Sequence, residues 1–565
     1  MPASSDPARE NVQACPAPPL ASWNSSERWA WTHICQGLPV DFDAVLDTRK
    51  DSGRQTNDRF RDPRRKLTAD FLRTILAREP YRSVVPLEGV QISGASVYGD
   101  LILRDAVFSH VFGVFDSRFL GKVEMNRLRT PTTVAFTGTT FEKVLSLDSV
   151  NIGGHVNLTG SHLREVVLKT AEIDGGLTMT GSRVTDPLSL NGATVRGALF
   201  LQHATFADVD LTDATVGRQF STSGSKFGGT LKMASLSTGG HLSLNGGSSF
   251  SDVILRGARI GGQLSMSDVV FNGQFDGQSM VVDKDILMSG ARFEHPVELS
   301  LARVSGSLNA VDASLTGLNL SGATVEQDLV FAHLDGSTVQ WRQYTHADGS
   351  IKNPIMMLWN TSVGGLVDNA ASWPEHLVLL LRDFTYQRLT PFGPQGGRFG
   401  EFRVAAWYVD WLARDTSDSF QPYSQLAATL ELYGEDAKAH AVLIAGRERE
   451  RVQLPWWSIE RWWSWALHWS IGYGFGSGEL RALFLVLPLL LIGGVLARYR
   501  APRDSDDERL GFWYSLDMLL PGMWLNERHA RVALPKPLRR YFNVHRLLGY
   551  VLLLFVVAGL AGLTQ

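Results

Sequence analysis

Large apolar residues in the middle of the chain return about every five positions, as in Val195, Leu201, Phe206, Leu211 and Val216. Small residues stand two places before several of them. A helix would repeat at about 3.6 and a lone strand at 2, so this beat belongs to neither. It is nested in a longer one. Small-x-apolar triplets begin at Ala171, Ala193, Ala214, Ala234, Ala258, Met280, Ala302 and Ala323, at intervals of 22, 21, 20, 24, 22, 22 and 21 residues. Four steps of about five predict one square turn whose large residues point inward, and self-similarity at this period marks a solenoid. The segment 87–340 would hold roughly a dozen turns, a rod about 55–60 Å long at the strand spacing of about 4.8 Å. Gly, Ser, Thr and Asn between the core positions suit the corners. The phase is less clear between Asp105 and Lys143, where an irregular coil or a loop is expected.

An open solenoid end exposes unpaired strand edges, so a cap is expected at each end. Residues 1–86 read as a tail and a helical cap, with helical apolar spacing over Leu67–Ala77 and Thr68 placed as N-cap before Ala69, Asp70 and Phe71. A junction, 341–418, follows the coils. In 419–478, Ser419 to Arg451 reads as a helical hairpin, with Tyr423, Leu426, Leu430 and Leu432 on one face, a break at Gly434, and a second helix from Ala437. One such pair suits an adaptor better than a peptide groove.

The pattern changes again over 479–565. Apolar runs near 482–497 and 547–563 approach the roughly 20 residues that cross hydrocarbon, and both read as membrane spans. Before them Trp456, Trp457, Trp462, Trp463, Trp465 and Trp469 crowd into 14 residues. That density suits an interfacial anchor against membrane lipid. Phe512–Leu525 is too short for a full span and contains Asp517, the one carboxylate in an apolar setting. It is either a functional acid of the membrane segment or the cap of a short interfacial helix. From Arg498 to Arg546 stand nine Arg and one Lys against six acids, a basic loop that would normally stay in the cytoplasm. Two spans put that loop opposite the β-helix. The first residues lack the apolar run of a secretory signal, which outweighs the charge rule and places the β-helix in the cytoplasm at a bacterial inner membrane.

Composition narrows the classes. The 54 Lys+Arg and 57 Asp+Glu give a net charge of −3, which excludes a wholly basic nucleic-acid binder and an acidic disordered chain. The coils hold 25 acids against 18 bases, too small an excess for a rod that imitates duplex DNA. Cys15 and Cys35, the only two cysteines, cannot form a disulfide framework or a thiolate zinc site; a reducing compartment suits them, with a single disulfide left open.

In LTADFLRTILAREPYRSVVPLEGVQISGA, SVGGLVDNAASWPEHLVLLLRDFTYQRL, QPYSQLAATLELYGEDAKAHAVLIAGRERER and IGYGFGSGELRALF, as well as in its coils, the chain resembles bacterial pentapeptide-repeat-like membrane proteins. These form a group often labelled membrane-associated oxidoreductases. The resemblance covers most of the chain from about residue 65 and implies a mainly β fold: a right-handed quadrilateral, pentapeptide-type β-helix with helical caps, a C-terminal helical adaptor and transmembrane helices.

No residue constellation identifies a reaction. The glycine-rich run Ile471–Gly478 follows no strand of a βαβ unit and precedes both apolar runs, so it reads as a joint rather than a dinucleotide loop or an ion filter. The 14 His show no ligand spacing, and His203, His241 and His295 are expected on coil surfaces or corners. No catalytic, metal or cofactor residues are assigned. The leading expectation is a membrane-anchored scaffold that binds a protein partner on its coil faces. The alternatives are an oligomeric channel or transporter subunit gated by the β-helix, and the oxidoreductase of the family label.

Overall fold

The structure, a computed structural model, describes residues 15–46, 58–345, 348–392, 402–471, 479–501, 510–520 and 525–560; the side chains of 463, 466–467, 469–485 and 555–560 lie outside that description. Two compact units divide between Glu401 and Phe402. The first is a parallel β-solenoid of about 14 turns. A regular turn carries four two-residue strands, for instance Asn151–Ile152, Val156–Asn157, His162–Leu163 and Val166–Val167. Each pairs with its counterpart one turn on: Asn151 with Glu172, Val156 with Leu177, His162 with Arg183, Val166 with Leu188. The four stacks are the first to fourth faces. One residue of each strand points in, and Ile152, Val156, Leu163 and Val166 are all buried.

Two of the four corners are hydrogen-bonded turns, as where the Ala171 N–H donates to the Leu168 carbonyl at 3.2 Å. Such a turn needs a positive φ at its third residue, here Thr170 at 48°. Leu301 holds the same place at 59° while 54% of its side chain faces solvent. A bulky residue there carries backbone strain with little packing to offset it. Leu301→Gly is expected to raise stability by about 1 kcal/mol, read as a higher denaturant midpoint at unchanged slope. A lower midpoint would mean that the Leu301 side chain packs against the turn beside it.

Inside the third face, Phe206, Phe227, Phe250, Phe271 and Phe293 form a stack with successive centroids 5.2, 4.9, 5.2 and 4.6 Å apart. Beside it runs a ladder of buried hydroxyls, Ser117, Thr139, Ser161, Ser182, Ser225 and Ser248. The Thr139 N–H donates to Ser161 Oγ at 3.2 Å, and the Ser161 N–H to Ser182 Oγ at 3.3 Å. Ser182 Oγ in turn donates to the Leu158 carbonyl at 2.6 Å. Backbone groups at this corner, shut away from water, are thus paired across turns.

The segment Asp105–Lys143 is not the irregular coil expected of it. Strands at Phe112–Phe115, Arg118–Phe119, Val123–Glu124, Arg129–Thr130, Val134–Ala135 and Thr140–Phe141 keep the regular course. Its core is filled by Phe112, Phe119, Phe136 and Phe141 packed edge-to-face and stacked, which replaces the small-x-apolar triplet that marks the other turns. Past Thr324 the strands lengthen, through Thr324–Val330 and Ser362–Asn369 to Thr385–Phe392, and the parallel pairing continues.

At the other end Thr68 caps the helix Ala69–Ala77, its hydroxyl accepting the Phe71 N–H at 3.2 Å. The buried Glu27 carboxylate accepts from the Asn24 N–H (2.9 Å), the Thr68 N–H (2.8 Å) and the Thr68 hydroxyl (2.6 Å), tying the helix Ser25–Cys35 to the first strand of the third face. Cys15 and Cys35 are joined as a disulfide, with their Cα atoms 5.8 Å apart.

The second unit is helical. Gln421–Leu432 and Asp436–Gln453 make the expected hairpin, turned at Gly434, whose φ of 75° suits a residue without Cβ. Tyr423, Leu426 and Leu430 are buried, but Leu432 is 81% exposed and lies off that face. Next come Ile459–Ile471, Glu479–Arg500, Phe512–Leu519 and Lys536–Leu560. Among the described residues no helix is long and apolar enough to cross a membrane. That overturns the expected transmembrane helices near 482–497 and 547–563, and with them the multi-pass placement in an inner membrane. Ala482–Ala497, held between Arg481 and Arg498, rises only about 24 Å, against the roughly 30 Å of a hydrocarbon core. Part of the apolar surface is used within the unit, where Ala497, Leu510, Tyr514, Leu534, Leu538 and Phe542 form one core.

Candidate functional site

Asp517 is wholly buried on the helix Phe512–Leu519. Its carboxylate accepts the Leu525 N–H at 2.6 Å and the Asn526 N–H at 3.3 Å, and is hydrogen-bonded to His529 Nδ1. Three donors from 525–529 therefore converge on one acid, which fastens the short turn Glu527–Arg531 to the helix. Hydrogen bonds to a charged acceptor are the stronger kind. Asp517→Asn is expected to cost about 2 kcal/mol, seen as a lower midpoint for loss of helical circular dichroism. An unchanged midpoint would remove the carboxylate from any structural role.

Next to it, Ser515 Oγ lies 3.2 Å from His545 Nε2, and the Ser515 carbonyl is also 3.2 Å from that nitrogen. One ring nitrogen facing a hydroxyl and a carbonyl is an arrangement for joining helices. A Cβ on Gly493 would fall 2.1 Å from Ser515 Oγ and 3.0 Å from His545 Cε1, which leaves no room for a substrate. Burial pushes the His545 imidazole below its ordinary 6.5, opposed by the hydrogen bond to the Ser515 backbone, and pushes the Tyr514 hydroxyl up to about 12. A depressed histidine is neutral in the folded unit, so its contribution to stability is complete above about pH 6.5 and declines as the pH falls toward the folded value. The wild-type midpoint is expected to drop on acidification below that point, and His545→Gln to remove part of the drop. An identical acid profile in the variant would assign the effect to other groups.

The tryptophans divide. Trp456, Trp457, Trp462 and Trp465 are 70, 70, 62 and 47% exposed, whereas the side chains of Trp463 and Trp469 lie outside the described residues. The glycine-rich run at 472–478 does too. Of the coil histidines, His203 occupies a corner at φ 51°, and His241 Nδ1 accepts the Gln263 N–H at 3.0 Å. Among the described residues no group of three or more His, Cys, Asp or Glu is placed to hold a metal ion.

The surface that stands apart is the second face of the solenoid. Its outward column, Ala135, Asn157, Thr178, Phe200, Ser221, Ser243, Ser265, Leu287, Asn309 and Val330, runs ten turns in register without a charge. The other three columns all carry charges: Arg129, Glu172, Arg259 and Arg303 on the first, Arg118, Arg183, Lys226 and Arg292 on the third, Glu124, Asp210, Lys232 and Asp276 on the fourth. Sequence reasoning missed this face because its residues stand about 21 apart; writing the chain in lines of one turn would have aligned them. No family model, curated protein or solved structure matches the chain.

Proposed function

We propose that the solenoid is a scaffold that docks a protein partner on its second face. The observation that carries this reading is the uncharged column of ten register-aligned residues on a molecule whose other faces are charged. Charged side chains are the residues depleted from the cores of protein interfaces, since their desolvation is expensive. Ala135, Ser221 and Ser265 are buried by their neighbours even though they point outward, so Phe200 and Leu287 stand highest on the column. Regular main-chain pairing one turn to the next holds it rigid, so little conformational freedom is lost on docking. The partner that fits is a flat, equally uncharged protein surface.

The test is a photo-crosslinking residue at Ser243, with Thr215 on the first face as control, in the organism's own extract. A specific protein adduct from 243 and none from 215, lost in Ser243→Arg/Leu287→Arg while the circular dichroism is unchanged, is the expected result. Equal labelling at both positions, or an adduct that survives the two arginines, would rule the face out. A second copy of the chain as the adduct would replace a foreign partner with a homodimer.

A further inference from the structure

A cavity of about 910 Å³ opens at the corner between the first and second faces, lined among others by His155, Asp174, Arg196, Phe200, Arg218 and Gln219. Its origin lies in how this corner is stitched elsewhere. In several turns the last residue of the corner offers a side-chain acceptor to the N–H of its counterpart one turn on. Thr133 Oγ1 takes the His155 N–H (3.2 Å), His155 Nδ1 the Gly176 N–H (2.9 Å), His241 Nδ1 the Gln263 N–H (3.0 Å) and Asp285 Oδ1 the Ser307 N–H (2.8 Å). Gly176 and Ala198 occupy the same position in two successive turns and have no acceptor to give. The N–H groups that they would serve, those of Ala198 and Gln219, find no acceptor among the described residues. A Cβ on Gly176 would lie 2.9 Å from the Ala198 carbonyl oxygen and 3.6 Å from the Ala198 nitrogen, so the Ala198 backbone directly borders this position.

What surrounds the two donors is cationic. Arg196 is paired with Asp174 at 3.0 Å, and Arg218 is exposed with no acidic partner within the described chain. His155 Nδ1 is committed as an acceptor, which puts the ring proton on Nε2 as a further donor. Asp174 is the one negative group on the lining, and Arg196 neutralises it. Unpaired backbone N–H groups on adjacent turns beside guanidinium groups form an anion-binding concavity. Phe200, the only aromatic on the uncharged column, forms the remaining wall. The volume matches that of sites for small organic ligands.

We propose that this corner binds a small organic oxyanion, a phosphate monoester or a carboxylate, whose oxygens take the Ala198 and Gln219 N–H groups and whose flat apolar part rests on Phe200. The site shares Phe200 and Thr178 with the uncharged column, but its donors and cations, Ala198, Gln219, Arg196, Arg218 and His155, lie on the corner, and Ser243 and Leu287 lie turns away, so the docking test and the ligand test fail separately.

The experiment is titration calorimetry of the full chain with phenyl phosphate, benzoate and inorganic phosphate, each separately at fixed ionic strength. Saturable one-to-one binding of phenyl phosphate or benzoate is expected, about tenfold or more tighter than inorganic phosphate. Phenyl phosphate alone would assign the ligand as a phosphate monoester, and benzoate alone as a carboxylate. Ala198→Asp supplies the missing acceptor as Asp285 does, and should abolish binding without lowering the melting midpoint. Arg218→Gln should weaken binding about tenfold. No saturable binding of either aromatic anion, or full affinity in Ala198→Asp, would overturn the proposal. Phe200→Ser separates the two halves of the ligand: it should bring phenyl phosphate down to the affinity of inorganic phosphate, and an unchanged preference would sink the assigned pose.

Discussion

Replacing Gly549 with valine is expected to dismantle the packing between the helices Phe512–Leu519 and Lys536–Leu560. A Cβ at 549 would stand 1.9 Å from the Leu519 carbonyl oxygen and 3.2 Å from its Cα, all of it backbone that no rotamer change can move. The longer helix must shift, and the shift pulls on the His545–Ser515 contact one turn earlier and on Phe542, whose ring meets Tyr514 at 5.1 Å. Overpacking of this kind costs about 3 kcal/mol or more, because the surrounding contacts are lost together. Hydrogen exchange is the measurement. Amides of Tyr514–Leu519 should lose their protection while those of the regular coils keep theirs, and a variant with native protection at 514–519 would contradict the close approach at residue 549.

Phe250→Ala is the corresponding change in the solenoid. Phe250 is fully buried and stacks on Phe227 at 4.9 Å and on Phe271 at 5.2 Å, so truncation breaks two ring contacts and leaves a hole at the centre of five stacked rings. Loss of a buried phenylalanine costs about 3–5 kcal/mol. Each turn rests only on its two neighbours, so the effect should be confined to a few turns on either side. Amides from about 225 to 275 should exchange roughly a thousandfold faster, the equivalent of about 4 kcal/mol, with those near 130 unaffected. Uniform acceleration along the whole solenoid would mean that the turns unfold as one unit.

The parts of this molecule that were legible in its sequence are those written by repetition. Ala171, Ala193 and Ala214 mark successive turns because a two-residue strand needs one large inward residue and a small one at the corner beside it. Asp105–Lys143 escaped because Phe112, Phe119 and Phe136 fill the same volume with a different vocabulary. The hydroxyl ladder was invisible for another reason: Ser161 and Ser182 look like surface residues until the turns are stacked. The C-terminal helices misled in the opposite sense. Their apolar runs suggested spans, whereas Leu496 and Ala497 of the first are used in a core of the unit's own and Arg481 and Arg498 keep that run short. Asp517 stands out in the sequence as a carboxylate in an apolar stretch, but its partners lie at 525–529, and a bond made through a turn of unknown shape cannot be read from spacing. The unpaired N–H groups at Ala198 and Gln219 are harder still, since they are defined by side chains that are missing.

The hydroxyl ladder has a consequence for how the protein can change in evolution. The Ser161 hydroxyl bonds to the turn before its own, the Ser182 hydroxyl to the turn of Ser161 in the same manner, and neither side chain reaches further. A duplicated or deleted stretch of one turn therefore arrives with its own acceptor and finds a donor waiting, and the seam closes without a mismatch. The molecule is in that sense a ruler graduated in steps of about 4.8 Å, whose length can drift between lineages while its faces stay aligned.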